Sequence, residues 1–416
     1  MHVLVVNNIY PPLMAGGAEL IVAWLSEGLA ARGHRVTVVS TCGPEMEPYP
    51  AETINGVTVL RFFPHNVYWS FSRQGQPPYR RALWHLRDAW NHNAGQRLRT
   101  IIGRTSPDIV HTHLIDGFSA AIWRSARRAG IPIIHTAHDY HLLCPRAFML
   151  TRDWRICRNP GVACRVYRTW HLHTTQDVDL FVSPSRFLLD QHRSAGMLNV
   201  PMATVPNGIP LPHKTGTRAE RPTFLLLTRL TVEKGVRVVV QAIASLPPTL
   251  DFQLVIAGRG PLEDEMRQAA AKDPRIRSVG YVTGEAKQTL LGSADYLIIP
   301  SLWYENAPVA VIEAAAQGIG VIASRIGGLP EFVRDGRTGL LFEPGDAAGL
   351  AAIMYGLLEG TITLPTLAED SRRLAEQHSV GRMVDSYLER YHELLASRTP
   401  SAGRRDPQNT EMQGAI

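Results

Sequence analysis

The chain has 416 residues, 45% of them hydrophobic and 19% charged, with a formal net charge of +6. It is too long for one ordinary domain, suits two of about 200 residues, and is too apolar for a disordered chain. No run of 18 uncharged apolar residues occurs, which excludes a membrane-spanning helix. Charge is uneven: residues 1–205 hold 21 Arg, no Lys and 13 acidic residues, whereas 206–416 hold 22 basic and 24 acidic ones. A basic first half points to an acidic acceptor or an anionic membrane surface. No nucleic-acid module is visible, so nucleic acid is not an expected partner.

His2–Asn8 reads as a strand with no basic leader or cleavage pattern ahead of it, so a cytoplasmic location is expected, with peripheral attachment to the membrane face as a further expectation. A loop with Gly16 and Gly17 follows, then a helix over Ala18–Ala31, Gly33 as its cap and a strand over Arg35–Ser40. Small residues between strand and helix let backbone amides approach a phosphate, although the spacing is not the dinucleotide fingerprint. Further strands are expected at Val57–Phe62, Ile109–His113, Ile131–Ala137, Leu180–Ser183 and Ala203–Pro206. Period-two alternation puts His111 and His113 on one strand face. His135, His138 and His141 follow the next strand beside Asp139, at a spacing that fits no standard zinc pattern, so no metal is assigned. Cys144, Cys157 and Cys164 fall close together and, in a reducing cytoplasm, read as packing thiols or a degenerate site rather than a disulfide.

Asn199–Thr223, rich in Pro, Gly and polar residues, holds the domain boundary. Thr223–Leu230 is β-rich and passes through Arg229 towards Lys234 and Gly235, after which a helical pattern starts. Two cations at a strand-to-helix junction suit a pyrophosphate. Phe252–Gly258 runs into the turn Gly258–Pro261, and a third strand runs into Val279–Val282. Parallel sheets take ligands at the carboxyl ends of their strands, so these turns converge on one crevice. Tyr296–Pro300 feeds a loop carrying Glu305 and a helix opened by Pro308, with Glu313 in its second turn. At 1.5 Å per residue the two carboxylates lie at most about 12 Å apart, roughly the span from a sugar to a ribose across a diphosphate. The free amides and positive dipole of the helix start lie between them. From Val380 to Leu395 a 3.6-residue period returns; beyond Ser397 it is lost, and a disordered tail is expected.

The segments LLLTRLTVEKGV, AGRGPLE, Glu305-x7-Glu313 and GGLPE (Gly327–Glu331), with NNIYPPLMAGGAE and VPNGIP before them, resemble the retaining glycosyltransferases of the GT4 group. The resemblance covers about residues 1–395. It implies an α/β fold of the GT-B type: two Rossmann-like domains facing across a cleft, with a C-terminal crossover helix. The implied units are an acceptor-binding domain over 1–200, a donor-binding domain over 201–375, the crossover helix over 376–396 and the tail over 397–416. The implied reaction moves a sugar from a nucleotide-diphosphate-sugar to a glycan or lipid-linked acceptor, with the leaving phosphate helping to deprotonate the acceptor.

By the same resemblance Arg229 and Lys234 stabilise the departing diphosphate, Glu305 binds the donor sugar and His113 lies beside the transferred sugar. Glu313 holds the ribose and the Tyr281–Val282 backbone the base. Gly16, Gly17, Gly258 and the stretch Asn306, Ala307, Pro308 and Val309 complete the donor site, and His138 and Asp139 belong to the acceptor side. No cofactor is implied, and a metal is not required because two cations already offset the phosphates. Thr228 stands where the family has Gly, and Gly320 where it has Pro; neither change removes a charged donor contact. A nucleotide-sugar epimerase and a non-catalytic glycan-binding subunit share the fold, but the motif order and the presence of all four charged donor residues favour the transferase.

Overall fold

The structure is a computed structural model that describes residues 1–13, 16–47, 49–197, 200–211 and 218–398. Two sheets organise it. The first contains β1 (His2–Val6), β2 (Arg35–Thr41), β3 (Glu52–Ile54), β4 (Val57–Phe62), β5 (Ile109–Thr112), β6 (Ile133–Thr136), β7 (Leu180–Ser183) and β8 (Met202–Thr204). Their order is β3-β4-β2-β1-β5-β6-β7-β8, parallel except for the short edge strand β3 against β4. The second contains β9 (Thr223–Leu227), β10 (Gln253–Ala257), β11 (Ile276–Gly280), β12 (Tyr296–Ile299), β13 (Gly320–Ser324) and β14 (Gly339–Phe342). Its order is β11-β10-β9-β12-β13-β14, wholly parallel.

These strands are Val-, Ile- and Leu-rich because both of their faces are covered. In β1, Leu4 and Val6 enter one core while Val3 and Val5 enter the core on the opposite face. Leu226 and Leu225 divide in the same way in β9. Strand order reverses beside β1, which lies between β2 and β5, and beside β9, which lies between β10 and β12. Such switch points leave a crevice outside the carboxyl ends of the strands. The chain thus builds two crevices, and the loops that end β1, β5, β9 and β12 furnish them.

Predicted strands and observed strands differ at their ends: β5 stops at Thr112, so His113 lies just beyond it, and β6 spans only Ile133–Thr136. The first helix runs Gly17–Ala31, with Arg32 as its cap and Gly33 one residue later at φ 81°. The last helix is Val380–Arg398. It starts four residues later than residue 376, because a separate helix, Leu367–Gln377, precedes it. The chain crosses between the sheets twice, and the two crossings touch: Ile209 N–H donates to His378 O at 2.9 Å, and Val380 N–H donates to Ile209 O at 3.1 Å. Gly208 is required there, since a Cβ would overlap the Ser379 carbonyl. Beyond that point Met383, Val384, Tyr387 and Tyr391 pack into the first domain's core, against the Gly17–Ala31 helix. The expected tail beyond Arg398, and residues 198–199 and 212–217 of the expected boundary, lie outside the described residues.

Candidate functional site

Both switch points open into one cleft of ≈ 270 Å³. The first domain contributes Gly17, Ala18, His138 and Asn207; the second contributes Thr228, Lys234, Ser301, Trp303, Glu305 and the run Asn306–Val309. The helix Gly17–Ala31 and the helix Val309–Gln317 point their N-termini at each other: a Cβ on Gly17 would sit 3.6 Å from Val309 Cγ2. Neither start has a side-chain cap, so free amides and the positive ends of two dipoles face the cleft.

Lys234 follows β9 in a single 3-10 turn ended by Gly235, which takes a left-handed φ of 68°. That conformation, and an approach to the Pro300 carbonyl that leaves no room for a Cβ, both demand glycine. The turn delivers Lys234 Nζ to Glu305 Oε1 at 2.6 Å and places it 4.9 Å from the centre of the Trp303 ring. Glu305 is 6% exposed, and the same Oε1 accepts from Trp303 Nε1 at 2.8 Å and from Ser301 Oγ. Burial alone would raise its pKa; the Lys234 charge and these hydrogen bonds outweigh it and hold the carboxyl below its ordinary range. All three donors converge on Oε1. Gly327 and Gly328 press on the backbone of the same residue, with Gly328 N–H donating to Glu305 O at 2.6 Å.

Glu313, also 6% exposed, is paired with Lys287 of the helix Gly284–Ser293. Arg229 is exposed at the end of β9, where its charge acts on buried Glu19 of the first domain. Gly258 has no room for a Cβ against the Thr228 carbonyl, so the Gly258–Pro261 turn lies directly on the Arg229 turn. Tyr281 is 60% exposed, with the Arg259 guanidinium 4.5 Å from its ring centre.

In the first domain, His113 Nδ1 lies 3.0 Å from His138 Nε2. Burial pushes both pKa values down, that of His138 to about 4, so the pair is neutral, one ring donating and the other accepting. His113 Nε2 is buried and has no hydrogen-bond partner among the described residues. Burial, then the charges of Asp116 and Glu19, push Asp139 up to about 7 against the lowering effect of the His141 N–H. His113 and Asp139 line a smaller cavity behind the cleft, and His138 lines both. Asn306 Nδ2 donates to His138 O at 2.7 Å, so this histidine is held from the opposite domain. His111, by contrast, is turned to the crossover helix, 2.6 Å from the Tyr391 hydroxyl.

Of the residues singled out in the sequence, Gly17, His138, Lys234, Glu305, Asn306, Ala307, Pro308 and Val309 line one cleft. Gly16, Arg229, Gly258, Tyr281, Val282 and Glu313 do not line it; His113 and Asp139 line only the cavity behind it. Sequence reasoning missed Lys287, Ser301, Trp303 and Asn207. Lys287 had a signal: it is one of only four lysines in an arginine-rich chain. The four cysteines are unpaired, and no group of three or more His, Cys, Asp or Glu among the described residues could hold a metal ion.

The sequence matches the family model for Glycosyltransferase Family 4 over residues 15–212 and that for Glycosyl transferases group 1 over residues 221–360. An uncharacterized 42.6 kDa protein in the cps region of Klebsiella pneumoniae is 30% identical over 338 residues, 80% of this chain and 88% of its own. Glycogen synthase of Mycobacterium tuberculosis is 29% identical over 398 residues, 91% of this chain and 90% of its own. Among solved structures, Anabaena Alr3699/HepE in complex with UDP superposes with a TM-score of 0.70 at 18% identity, covering 95% of this chain and 100% of that one. At that identity the likeness speaks for the fold, which is GT-B.

Proposed function

This chain belongs to the GT4 glycosyltransferases of the group 1 type, and from that premise we propose that it is a retaining enzyme taking its sugar from a nucleotide diphosphate. Glycosyltransferase activity in polysaccharide or glycolipid biosynthesis follows from the family. The observation that carries the finer reading is the pair of uncapped helix starts that meet in the cleft Lys234 also lines. Two dipoles and a cation converge where a diphosphate would develop charge as it leaves, and Arg229 stands at the rim. A metal is not called for on this reading, because the protein's own charges offset the phosphates.

Glu305 fits the donor sugar. Its Oε1 is saturated by Lys234, Ser301 and Trp303, which leaves Oε2 to accept from sugar hydroxyls. Glu313 would take the ribose, with Lys287 fixing its carboxylate, and the Tyr281–Val282 backbone the base. His138, which lines both the cleft and the cavity behind it, would face the acceptor, with Asp139 behind it and His113 holding its ring at 3.0 Å. With the sugar held on one face, the departing phosphate oxygen accepts the acceptor's proton and the anomeric configuration is kept. The Anabaena protein holds UDP, which makes a uridine nucleotide the first donor to try.

The test is thermal stabilisation of the full chain by UDP, GDP and ADP sugars, followed by proton NMR of the product's anomeric centre. Stabilisation by one of these bases and a product of unchanged configuration are expected. No stabilisation by any of them, or an inverted product, would overturn the reading. Donor hydrolysis without added acceptor separates an enzyme from a glycan-binding subunit.

A further inference from the structure

The loop between β12 and the helix Val309–Gln317 reaches across to the first domain at Trp303, Tyr304 and Asn306. The Trp303 ring packs on that of Phe148 at 5.4 Å, the Tyr304 ring lies 5.0 Å from that of Phe187, and Asn306 Nδ2 donates to His138 O at 2.7 Å. Trp303 differs from its neighbours in what it holds on its own side. Its Nε1 donates to Glu305 Oε1 at 2.8 Å, and its ring centre stands 4.9 Å from Lys234 Nζ. One side chain, 9% exposed, thus touches both members of the Lys234–Glu305 pair and a residue of the opposite domain. An indole N–H can only donate, and it moves only with its ring. The Ser301 hydroxyl on the same oxygen can rotate by itself; the Trp303 donor cannot. A tilt of the indole therefore carries the Glu305 carboxylate with it.

What fixes that tilt lies in the first domain. Phe148 meets the indole edge-on, with 66° between the ring planes. It is half-buried, and both of its neighbours are left-handed: Ala147 at φ 59° and Met149 at φ 51°. Such backbone is costly without glycine and persists only where the surroundings over-determine it. Here they do. Ala147 N–H donates to Cys144 O and Cys157 N–H to Met149 O, both at 2.8 Å, while Arg146 Nη1 donates to Leu150 O at 3.2 Å. Met149 and Leu150 are buried in the first domain. Between these anchors Phe148 is turned outward onto Trp303.

We propose that Trp303 is a positioning residue for the transfer: Phe148 sets the indole, and the indole N–H aims the Glu305 carboxylate at the donor sugar. This inference rests on the glycosyltransferase reading of the cleft and deepens it. With Phe148 withdrawn, Glu305 keeps Lys234 and Ser301 but loses its one rigid donor geometry. The nucleotide is still held; the sugar is no longer aligned. Productive geometry is then completed only when the first domain is in place.

The assay is hydrolysis, by the full chain, of whichever UDP, GDP or ADP sugar stabilises it. Trp303→Phe keeps a ring and removes the donor, so kcat should fall about tenfold or more while KM stays within twofold. Phe148→Leu fills the space without an aromatic edge and should lower kcat about threefold to tenfold, and Phe148→Tyr should restore it. Added to Trp303→Phe, Phe148→Leu should cost nothing further, because both act through one carboxylate. An unchanged kcat in Trp303→Phe, an effect on KM instead, additive losses or no rescue by tyrosine would each overturn the proposal. A second measurement needs no donor: fluorine NMR of the chain labelled with 5-fluorotryptophan. The Trp303 signal, identified by its loss in Trp303→Phe, should move in Phe148→Leu and in Lys234→Met and return in Phe148→Tyr. A signal that ignores Phe148 overturns the proposal whatever the nucleotide does. If the signal responds but no nucleotide sugar binds, the donor reading fails and the link from Phe148 through Trp303 to Lys234 stands.

Discussion

Removing the Lys234 amine leaves Glu305 with two of its three donors and no compensating charge. Lys234→Met should cost turnover about 10²–10³-fold if the amine acts as an oxyanion-type donor to the leaving phosphate. It should also cost stability, about 3 kcal/mol for a buried pair broken on one side, since Lys234 keeps only 16% of its side-chain exposure. The sign of the pH dependence follows. In the native chain the Glu305 pKa is depressed, so its contribution is present above the ordinary carboxylate range and lost as pH falls through the folded value. Without Lys234, burial dominates and the folded pKa rises above the unfolded one. The variant's deficit should then shrink on acidification from pH 7 towards pH 5. Urea melts at both pH values check this, and Glu305→Gln added to Lys234→Met should recover stability without recovering turnover. A deficit that is constant with pH would mean Glu305 does not carry the charge.

Two glycines differ in what they hold. Gly318 ends the helix Val309–Gln317 at φ 72°, with nothing within 4 Å of where a Cβ would be. Gly318→Ala should cost only the left-handed penalty, about 1–2 kcal/mol, with donor affinity unchanged. Gly235 has a similar φ, 68°, but its Cβ would overlap the Pro300 carbonyl at the end of β12. Gly235→Ala must displace either that strand end or the turn that carries Lys234. Its cost should exceed that of Gly318→Ala, and nucleotide affinity should fall with it. Thermal melts and nucleotide titrations of both variants check the contrast; equal penalties would show that the turn yields without moving Lys234.

Across the whole molecule, the two domains are latched by Glu331, the last residue of the GGLPE run. Its two oxygens accept from Phe187 N–H at 2.6 Å and Arg186 N–H at 2.8 Å, the first amides of a helix in the opposite domain. Since Gly327 and Gly328 of the same run rest on the Glu305 backbone, closing the domains and setting Glu305 are mechanically linked. Glu331→Ala should remove about 1.5 kcal/mol of closure energy, roughly tenfold in the closed-to-open ratio. Turnover should fall accordingly while nucleotide affinity stays within twofold, and small-angle scattering with nucleotide present should report a larger radius of gyration. An unchanged radius with lower turnover would move Glu331 from the latch to the chemistry.

The sequence by itself determined the repeating strand-and-helix pattern, the strand-end turns with Arg229 and Lys234, and the Glu305–Glu313 spacing. Each is written in contiguous residues, where apolar periodicity and turn chemistry act locally. It determined the crossover helix through its 3.6-residue period, but not the separate helix Leu367–Gln377 before it. Only the tertiary structure decided what each charged group meets. Lys234 and Glu305 are 71 residues apart in the chain, Asn306 and His138 are 168 apart, and Glu331 meets residues about 145 earlier. It also decided that His111 serves the crossover helix while His113, two residues on, faces a cavity behind the cleft. Period-two alternation puts both on one face and cannot distinguish them; the end of β5 at Thr112 does.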